Sequence, residues 1–569
     1  MIRYKDHMSL DPSALNPFQR HRHLEQMTTS PLDILVIGGG VTGSGAALDA
    51  ASRGLTVGLI EQRDYASGTS SRSSKLFHGG LRYLEQLNFG LVSEALGERN
   101  LMLKTICPHL TRPVSFVYPL KHRIWERPYV GAGVFLYDLM AKRSGSPLPR
   151  HEHISKSRLE EIAPAIDRSK FHGAIRYWDA QVDDARHTMM VARTAAAHGA
   201  ALATSTRLVG LEATSAGVRV SALDLESGNS LTVTAKSVIN ATGVWSDDIQ
   251  ALAGSDGLDV EASKGVHLVV PKDRIDSETG MILRTKMSVL FVIPWDNHWI
   301  IGTTDTPWSL HRSHPAASKT DIDYVLEWIN TVLAQPLRSS DIVGIYAGLR
   351  PLLSGESEET SKLGREHAVI DDGHGLISVA GGKYTTYRLM AKDAVDAATR
   401  YIAGRVNESH TAELPLVGAD SYRWARGEPL PPDVDEDTHV RLLGRYGSLS
   451  QEIYALLEDR PELRDRVSEE PYMGAEIVYA ATHEGALHLD DFLTRRTRIS
   501  IEARHRGTRA AVPVSKLIAP HLGWDEATQT REIEHYRARV NAERDSQLQP
   551  DDRTADAARM GAPDVRTRS

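Results

Sequence analysis

The spacing of apolar and polar positions divides the chain into a mixed αβ part and a helical part. Near the start, the apolar run DILVIGGG precedes a small-residue helical stretch, VTGSGAALDAASRG, and a second apolar run, LTVGLIE. This succession predicts a strand, a glycine turn, a helix and a second strand. The remaining pattern predicts helices at 86–107, 186–199 and 387–403, and strands at 206–211, 216–222, 230–240, 266–270, 289–294, 298–303 and 376–382.

The two ends of the chain differ in pattern from its centre. Residues 1–30 are polar and are predicted to form an arm, whose basic residues could equally contact anionic lipid or be solvated. Beyond about residue 405, helix formers dominate, as in LSQEIYALLED, and a separate helical domain is predicted. Residues 546–569 are polar and contain proline, so we expect a disordered tail.

Composition narrows the class of protein. The 569 residues are 41% hydrophobic and 25% charged, which is typical of a soluble protein with a large core. A net charge of -8 argues against nucleic-acid binding. The single cysteine, Cys107, excludes an intrachain disulfide and indicates a reducing, cytoplasmic compartment. Apolar runs fall short of the ~18–20 residues of a membrane-spanning helix, while peripheral attachment stays open.

The first glycine turn has the spacing Gly38-x-Gly40-x-x-Gly43. Such glycines allow a tight turn, a close approach of backbone to a pyrophosphate, and close packing of helix on strand. Glu61 closes the second strand, where a carboxylate can accept hydrogen bonds from a ribose. Because strand, helix, second strand and acid all occur in order, the pattern predicts a dinucleotide site.

Two later segments favour FAD over NAD. The strand VINATGVWSDD ends in small residues that allow backbone to lie near a cofactor. The segment LISVAGGKYTTYRLMAKDA places a second Gly-Gly turn before a helix, far downstream of the first glycine turn. That turn can present backbone N–H groups to flavin oxygens, with the helix dipole assisting a reduced flavin.

Several motifs resemble the flavin-dependent glycerol-3-phosphate dehydrogenases of the bacterial respiratory type. The resemblance runs over roughly residues 31–500. The motifs are DILVIGGGVTGSGAALDAASRGLTVGLIE, SSRSSKLFHGGLRYLE, DAQVDDARHT, INATGVW, KGVHLVV, FVIPWDNHWIIGTTDT, YAGLRPL, AGGKYTTYR and EIVYAATHEGALHLDDFLTRRTR.

The resemblance implies an α/β fold like that of the glycine and D-amino-acid oxidases. A Rossmann-like FAD-binding domain is interleaved with an antiparallel-sheet substrate domain and followed by an all-helical C-terminal domain. The predicted boundaries are 1–30 for the arm; 31–85, 186–262 and 341–403 for the FAD-binding domain; 86–185 and 263–340 for the substrate domain; 404–545 for the helical domain; and 546–569 for the tail.

The resemblance also implies an activity and its partners. These are oxidation of sn-glycerol 3-phosphate to dihydroxyacetone phosphate, hydride transfer from C2 to N5 of a non-covalent FAD, and electron transfer to a membrane quinone. It further implies a peripheral position on the inner face of the cytoplasmic membrane and allows a homodimer. An oxygen-using oxidase, a catalytically silent flavoprotein and an amine-oxidising relative remain alternatives.

Residue by residue, the motif matches predict two sets of contacts. The substrate pocket is expected to contain Arg82, Tyr83, His267, Arg350, Arg365 and Lys383. The cofactor is expected to contact Ile37, Gly38, Gly40, Val41, Thr42, Gly43, Glu61, Gln62, Thr69, Ser70, Ser73, Ser74, Lys75, Leu76, His78, Gly79, Gly80, Ala241, Thr242, Gly243, Gly348, Arg350, Gly382, Lys383, Tyr384 and Thr385.

Three residues are candidates for the chemistry. His267 is our choice of general base because the ordinary pKa of imidazole lies nearest working pH. Arg350 and Lys383 are rivals, since either cation could stabilise an alkoxide, and arginine suits a phosphate through paired hydrogen bonds. We expect His78 to line the cofactor rather than tether it.

Two charged motifs are interpreted as structural. Adjacent aspartates point in different directions, so the segment that contains Asp183, Asp184 and Arg186 is expected to organise a helix start and a buried ion pair, and no metal is assigned. Arg495 and Arg496 are expected to form salt bridges on a helix face.

Overall fold

A computed structural model describes residues 11–255, 257–285, 289–354, 367–427, 430–431, 433–562 and 564–566, without the side chains of Arg82, Arg423 and Trp424. The strands are β1 Leu32–Ile37, β2 Val57–Ile60, β3 Leu76–Phe77, β4 Thr111–Pro119, β5 Glu152–Ile154, β6 Ala174–Val182, β7 Ala201–Ala203, β8 Thr206–Thr214, β9 Gly217–Asp224, β10 Ser230–Asn240, β11 Val260–Pro271, β12 Gly280–Arg284, β13 Val289–Trp295, β14 His298–Gly302, β15 Thr306–Trp308, β16 Gly344–Leu353, β17 His367–Asp371 and β18 Leu376–Gly381.

The helices alternate with these strands and then continue without them. They are α1 Pro17–Thr29, α2 Val41–Ser52, α3 Arg82–Glu85, α4 Phe89–Leu101, α5 Glu126–Arg143, α6 Lys156–Ile162, α7 Asp184–Ala197, α8 Ser246–Ala253, α9 Lys319–Asn330, α10 Tyr387–Ala398, α11 Tyr422–Ala425, α12 Glu436–Tyr446, α13 Ser450–Asp459, α14 Gly474–His483, α15 Leu489–Asp491, α16 Ile499–Glu502, α17 Ala511–Leu522, α18 Glu526–Gln547 and α19 Asp552–Arg559.

The first sheet is the parallel core that the glycine turn predicts. Its order is β17-β18-β10-β1-β2-β7, and β10, β1, β2 and β7 run parallel. β8 and β9 extend β10 as antiparallel strands. Helices α2, α7 and α10 pack together on one face of this sheet, and their small residues, such as Ala46, Ala192 and Ala391, are fully buried. The small side chains allow the helices to approach each other closely.

The second sheet is mainly antiparallel, with the order β15-β11-β14-β13-β12-β4-β6-β3, while β16 pairs with β11 and β5 with β6. β3 and β16 therefore belong to this sheet, whereas the sequence boundaries placed their residues in the FAD-binding domain. β16 pairs with β11 along ten positions, from Val260–Leu353 to Val269–Gly344. Backbone hydrogen bonding along a long partner strand decides this placement, and local pattern does not reveal it.

The C-terminal part is helical and has its own cores. One core contains residues of α14, α17 and α18, including Ile477, Val514 and Val540. A second is formed by α12, α13 and α14 and includes Leu442 and Leu457. The prediction of a helical C-terminal domain is confirmed.

Residues 11–30 are packed against the protein, so the prediction of a separate polar arm is wrong for them. Asn16 caps α1 by accepting from the Gln19 N–H at 2.9 Å. From α1, Arg20 forms an ion pair with Asp224 at 2.5 Å. One polar residue of α1, Arg20, thus pairs with the sheet behind the helix, whereas Arg22 and Glu25 are exposed.

The C-terminal segment is also ordered against the protein, so the prediction of a disordered tail is wrong for its described part. Asp552 of α19 contacts Lys264, which is fully buried and also pairs with Asp321 at 2.6 Å. Arg566 donates to the buried Asp491 carboxylate at 2.8 Å. Composition predicted disorder because these charges look solvated, but each one meets an opposite charge on a distant element.

Among the described helices, none combines the length and the apolar composition that spanning a bilayer requires.

Candidate functional site

A cavity of about 470 Å³ runs between the two sheets. One end is lined by residues at the carboxyl ends of β1 and β2, such as Gly38 and Glu61. The other end is lined by His267 of β11, Arg350 of β16 and Lys383 after β18. Ligands of open α/β sheets bind at the carboxyl ends of the strands, which is where this cavity begins.

The glycine turn is tightly packed at the start of α2 and lines the cavity through Gly38 and Gly40. Gly38 has φ +108°, which favours glycine, and a Cβ there would lie 2.8 Å from the Ala241 carbonyl oxygen. A Cβ on Gly43 would lie 2.0 Å from the Gly38 carbonyl oxygen, so helix and turn could not pack as they do. The Val41 N–H donates to the Ser70 hydroxyl at 2.9 Å. The turn and the helix N-terminus together fit a pyrophosphate.

Glu61 closes β2 and faces the same cavity. Its Oε2 accepts from the Gly39 N–H at 2.7 Å, and its Oε1 accepts from the Arg63 N–H at 2.8 Å. These two bonds hold the carboxylate at the cavity wall, in the position that recognition of a ribose requires.

The second glycine turn lies at the opposite end of the cavity. Gly381 and Gly382 have φ +78° and +72°, and both line the cavity. The chain then enters a short 3₁₀ turn, Tyr384–Thr386, and the helix α10. Backbone N–H groups at such a helix start suit an electron-rich ring system, so the residues fit a flavin.

His267 is buried on β11, where its imidazole contacts Ser74 and Tyr346. Its Nε2 lies 2.9 Å from the Ser74 hydroxyl, and its ring stacks on Tyr346 with centroids 4.8 Å apart. Nδ1 has no hydrogen-bond partner among the described residues. Burial lowers the pKa of His267 well below 6.5, and the nearby Arg350 and Lys75 charges lower it further. The imidazole is therefore neutral at pH 7 and able to accept a proton.

Arg350 lies on β16, which pairs with the strand of His267, and hydrogen bonds hold its guanidinium in place. Its Nη1 donates to the Asp305 carboxylate at 3.1 Å, and its Nη2 donates to the Thr303 hydroxyl and the Thr304 carbonyl, both at 3.1 Å. These bonds orient the guanidinium fork within the cavity wall.

Lys383 lies at the second glycine turn, against the loop that follows β3. Its Nζ is 3.8 Å from the centroid of the Tyr83 ring. Tyr83 in turn lines the cavity. A cation over an aromatic face is electrostatically favourable, and the contact ties the two segments together at one end of the cavity.

The structure brings most of the predicted site residues to this one cavity. Of the predicted set, Gly43, Lys75, Gly79 and Gly80 do not line it. Arg365 lies outside the described residues, and so does the side chain of Arg82, so their predicted contacts stay predictions. The residues that do line it are Ile37, Gly38, Gly40, Val41, Thr42, Glu61, Gln62, Thr69, Ser70, Ser73, Ser74, Leu76, His78, Tyr83, Ala241, Thr242, Gly243, His267, Gly348, Arg350, Gly382, Lys383, Tyr384 and Thr385.

Lys75 points away from the cavity, contrary to the sequence prediction. Its fully buried ammonium forms an ion pair with Asp184 at 2.8 Å and donates to the Ser71 carbonyl at 3.1 Å. A lone buried ammonium is too costly, so it takes the nearest carboxylate on α7. The motif placed Lys75 correctly in the loop, but it could not show which side of the loop the side chain takes.

Among the residues of the site that the sequence prediction missed are Tyr346, Arg63 and Trp245. Tyr346 stacks on His267, and its hydroxyl donates to the Ser73 carbonyl at 3.0 Å. Arg63 and Trp245 line the cavity with the guanidinium 5.4 Å from the ring centroid. Tyr346 and Trp245 lie inside the motifs YAGLRPL and INATGVW, so their membership of these motifs could have identified them as site residues from the sequence.

The two charged motifs form one buried network. Asp183 caps α7 and pairs with Arg498 at 2.5 Å, which confirms the predicted helix start and buried ion pair. Arg186 itself pairs with Glu484 of the helical domain at 2.9 Å. Arg495 and Arg496 are buried and both pair with Asp64, so they join the domains rather than one helix face.

One group in the described part of the chain, Asp11, Glu452 and His483, has ligand atoms close enough to hold a cation. Arg193 lies 3.5 Å from Asp11, and burial lowers the pKa of His483 to about 4. The arginine already supplies positive charge to this group, so it is a salt-bridge cluster.

The cavity and fold define a flavoprotein of the FAD-dependent oxidoreductase class. The family described as "FAD dependent oxidoreductase" matches residues 33–388, and the family described as "C-terminal domain of alpha-glycerophosphate oxidase" matches residues 409–529. The chain belongs to the FAD-dependent glycerol-3-phosphate dehydrogenase family within that class, and its cofactor is FAD.

The similarity to individual proteins extends over nearly the whole chain. A glycerol-3-phosphate dehydrogenase of Mycobacterium leprae is 53% identical, over 98% of this chain and 96% of the relative. The mitochondrial glycerol-3-phosphate dehydrogenase of Homo sapiens is 36% identical, over 92% of this chain and 75% of the relative. The crystal structure of the Bacillus halodurans glycerol-3-phosphate dehydrogenase with FAD superimposes with a TM-score of 0.74 at 28% identity, over 92% of this chain and 98% of that one.

Proposed function

We propose that this chain oxidises sn-glycerol 3-phosphate to dihydroxyacetone phosphate and passes the electrons to a membrane quinone. The observation that carries the substrate assignment is the placing of His267, Arg350 and Lys383 along one cavity. The chain also resembles glycerol-3-phosphate dehydrogenases over almost its full length.

His267 acts as the general base in this proposal. The buried imidazole is neutral because its pKa is lowered well below 6.5 by burial and neighbouring cations. The imidazole lines the cavity and accepts the proton of the C2 hydroxyl, while the Ser74 hydroxyl contacts its Nε2. Bound FAD supplies the two-electron acceptor for the hydride that leaves C2.

Arg350 and Lys383 hold the negative charge of the substrate. The Asp305 and Thr303 contacts fix the guanidinium of Arg350, so little conformational freedom is lost when a phosphate or an alkoxide binds. Lys383 lies over Tyr83 as a compact cation at the same end of the cavity. Arg82 and Arg365 are proposed as further phosphate ligands on the motif match alone.

An exposed apolar stripe on α5 supports a peripheral position on an anionic membrane. Trp125, at the N-cap of α5, is 57% exposed, and Tyr129, Phe135 and Leu139 of the helix are 54%, 59% and 49% exposed. Their spacing puts all four on one helix face, whereas a surface helix normally turns its polar face to water. Exposed basic residues flank both ends of this stripe, namely Lys121, Arg123, Lys142 and Arg143. Apolar insertion between basic flanks suits the interface of an anionic lipid bilayer.

The apolar stripe of α5 also supports a quinone as electron acceptor. Membrane quinones are dissolved in the bilayer, so a protein bound to the bilayer surface can reach them. We place the protein on the cytoplasmic face of the membrane, in keeping with its single buried cysteine.

Anaerobic addition of glycerol 3-phosphate to the purified holoenzyme tests the substrate. The yellow flavin absorbance should bleach within the turnover time of the enzyme, and glycerol or inorganic phosphate alone should leave it unchanged. An unbleached spectrum would refute the substrate assignment.

Stopped-flow reoxidation tests the acceptor. The reduced enzyme should reoxidise much faster with a water-soluble menaquinone analogue than with dissolved oxygen. Faster reoxidation by oxygen would favour the alternative, an oxidase that releases peroxide.

A further inference from the structure

A second, smaller cavity lies behind the active site, at the junction of all three parts of the fold. It has a volume of about 70 Å³, and Tyr346 and Arg72 form part of its wall. The helical domain and the C-terminal segment complete the wall through Ser500, Arg539 of α18 and Arg559 of α19. Since one water occupies about 30 Å³, the cavity could hold about two waters or one small oxyanion.

The wall of this cavity is rich in arginine. Among the described residues, four arginines line it, Arg72, Arg498, Arg539 and Arg559, against two carboxylates, Asp490 and Glu543. Arg498 is balanced elsewhere, by the aspartates at the start of α7.

Arg539 and Arg559 share the two carboxylates of the wall. Arg539 contacts Asp490, and both arginines approach Glu543, at 3.6 Å and 3.3 Å. Asp490 is further bound by Arg495 at 3.2 Å. The acids are therefore already occupied by arginine.

Arg72 has no carboxylate partner among the described residues. Its Nη1 donates to the Ser313 carbonyl at 3.3 Å. The pKa of Arg72 is lowered well below its ordinary value, first by burial and then by the surrounding cations, which include Arg63, Arg539 and Arg559. Arg72 therefore adds positive charge to this wall without a carboxylate of its own among the described residues.

Polar atoms of residues that line this cavity also lack partners within the described part of the chain. These are Nη1 of Arg559, Oγ of Ser500 and Nδ1 of His314. Arg559 is 2% exposed, so its Nη1 cannot be satisfied by bulk water. A buried donor without a partner is costly, and a bound acceptor would remove that cost.

We propose that this cavity binds a small oxyanion of the size of inorganic phosphate, held by Arg559, Arg72 and Ser500. Such an anion would receive charge-assisted hydrogen bonds from the arginines. It would fasten α19 to the loop that carries Arg72, which also lines the FAD cavity. The back of Tyr346, whose ring supports His267, would form one wall of the site.

Equilibrium dialysis of the FAD-loaded protein with labelled inorganic phosphate tests the proposal. A parallel titration of the flavin absorbance reports any phosphate that enters the substrate pocket. The wild type should bind one more phosphate per chain than the flavin titration accounts for. In Arg559→Gln this additional binding should weaken at least about tenfold, as expected for a lost charge-assisted bond.

Arg553→Gln is the matched control, because Arg553 is exposed on the same helix. Its phosphate binding should equal that of the wild type. If Arg559→Gln does not fold, Ser500→Ala replaces it, with an expected weakening of several fold. The proposal is overturned if the wild type binds no additional phosphate, or if the variant that folds binds it as tightly as the wild type.

Discussion

The Ser74 hydroxyl lies 2.9 Å from Nε2 of His267, and this contact joins the cofactor loop to the strand that carries the proposed base. The next residue, Lys75, turns to the opposite side of the loop and pairs with Asp184. One short segment thus positions a catalytic group on one side and is anchored by a buried charge on the other.

Replacement of His267 by glutamine should lower the rate of anaerobic flavin reduction by glycerol 3-phosphate about 10²–10⁴-fold, the usual contribution of a general base. Bound FAD and its spectrum should remain normal. His374→Gln is the control, because that histidine is exposed. In the wild type, the acidic limb of the pH–rate profile should fall below pH 6.5, since the pKa of His267 is lowered by burial and by Arg350. An unchanged reduction rate in His267→Gln would indicate that Lys383 or Arg350, rather than His267, stabilises the reacting hydroxyl.

Replacement of Asp184 by asparagine should destabilise the fold by about 3–5 kcal/mol, because Lys75 and Arg498 would lose a buried partner. The measurement is the midpoint of urea unfolding. Asp323→Asn removes an exposed partner of Lys319 and should change stability by less than about 1 kcal/mol. Equal effects of the two changes would show that the buried network contributes no more than a surface pair.

Glu502 should make stability depend on pH. Burial raises its pKa to about 7, and its oxygens accept from Trp295 Nε1 at 2.7 Å and the Tyr472 hydroxyl at 2.9 Å. Because the folded pKa exceeds the unfolded value, the stabilisation is present below about pH 4.5 and is lost as the pH rises to about 7. Glu502→Gln should therefore gain about 2 kcal/mol of stability relative to the wild type between pH 5.5 and pH 8. Melting temperatures at the two pH values test this, with the exposed Glu462→Gln as control, and a difference independent of pH would contradict it.

Deletion of residues 551–569 should lower the melting temperature of the holoenzyme. Lys264 would lose Asp552, and Asp491 would lose Arg566, at a cost of about 3 kcal/mol or more. Arg553→Gln, on the same segment, should melt like the wild type. A truncated protein with an unchanged melting temperature would restore the prediction of a disordered tail.

The paired change Trp125→Ser and Phe135→Ser should weaken binding to vesicles that contain anionic lipid. Each side chain contributes about 1.5–3 kcal/mol when buried in lipid, so affinity should fall at least about tenfold. Val440→Ser removes an exposed apolar side chain from α12 and serves as control. Co-sedimentation measures the effect. Equal binding of the double variant and the wild type would show that α5 does not contact the membrane.

The sequence alone predicted the cofactor class and much of the cavity. The glycine spacing and Glu61 are local requirements of one βαβ unit, so they can be recognised without knowledge of the rest of the fold. His267 and Lys383 were named from motifs, and both line the cavity with Arg350. At Lys75 the prediction failed because the direction of a side chain, unlike the position of a motif, cannot be recognised from the sequence.

Tertiary structure decided which charges are solvated and which are buried. In the sequence, Arg20, Lys264 and Arg566 resemble surface residues, and the segments around the first and last of them resemble disordered ends. In the fold each meets a carboxylate from an element far away along the chain: Asp224, Asp321 and Asp491. The cost of burying a charge depends on its partner, and partners more than fifty residues apart leave no periodicity for the sequence to reveal. The glycine turns and the dinucleotide site could therefore be predicted from the sequence, because they depend on neighbouring residues. The pairing of distant charges depends on how the three parts of the molecule pack together, and only the tertiary structure shows it.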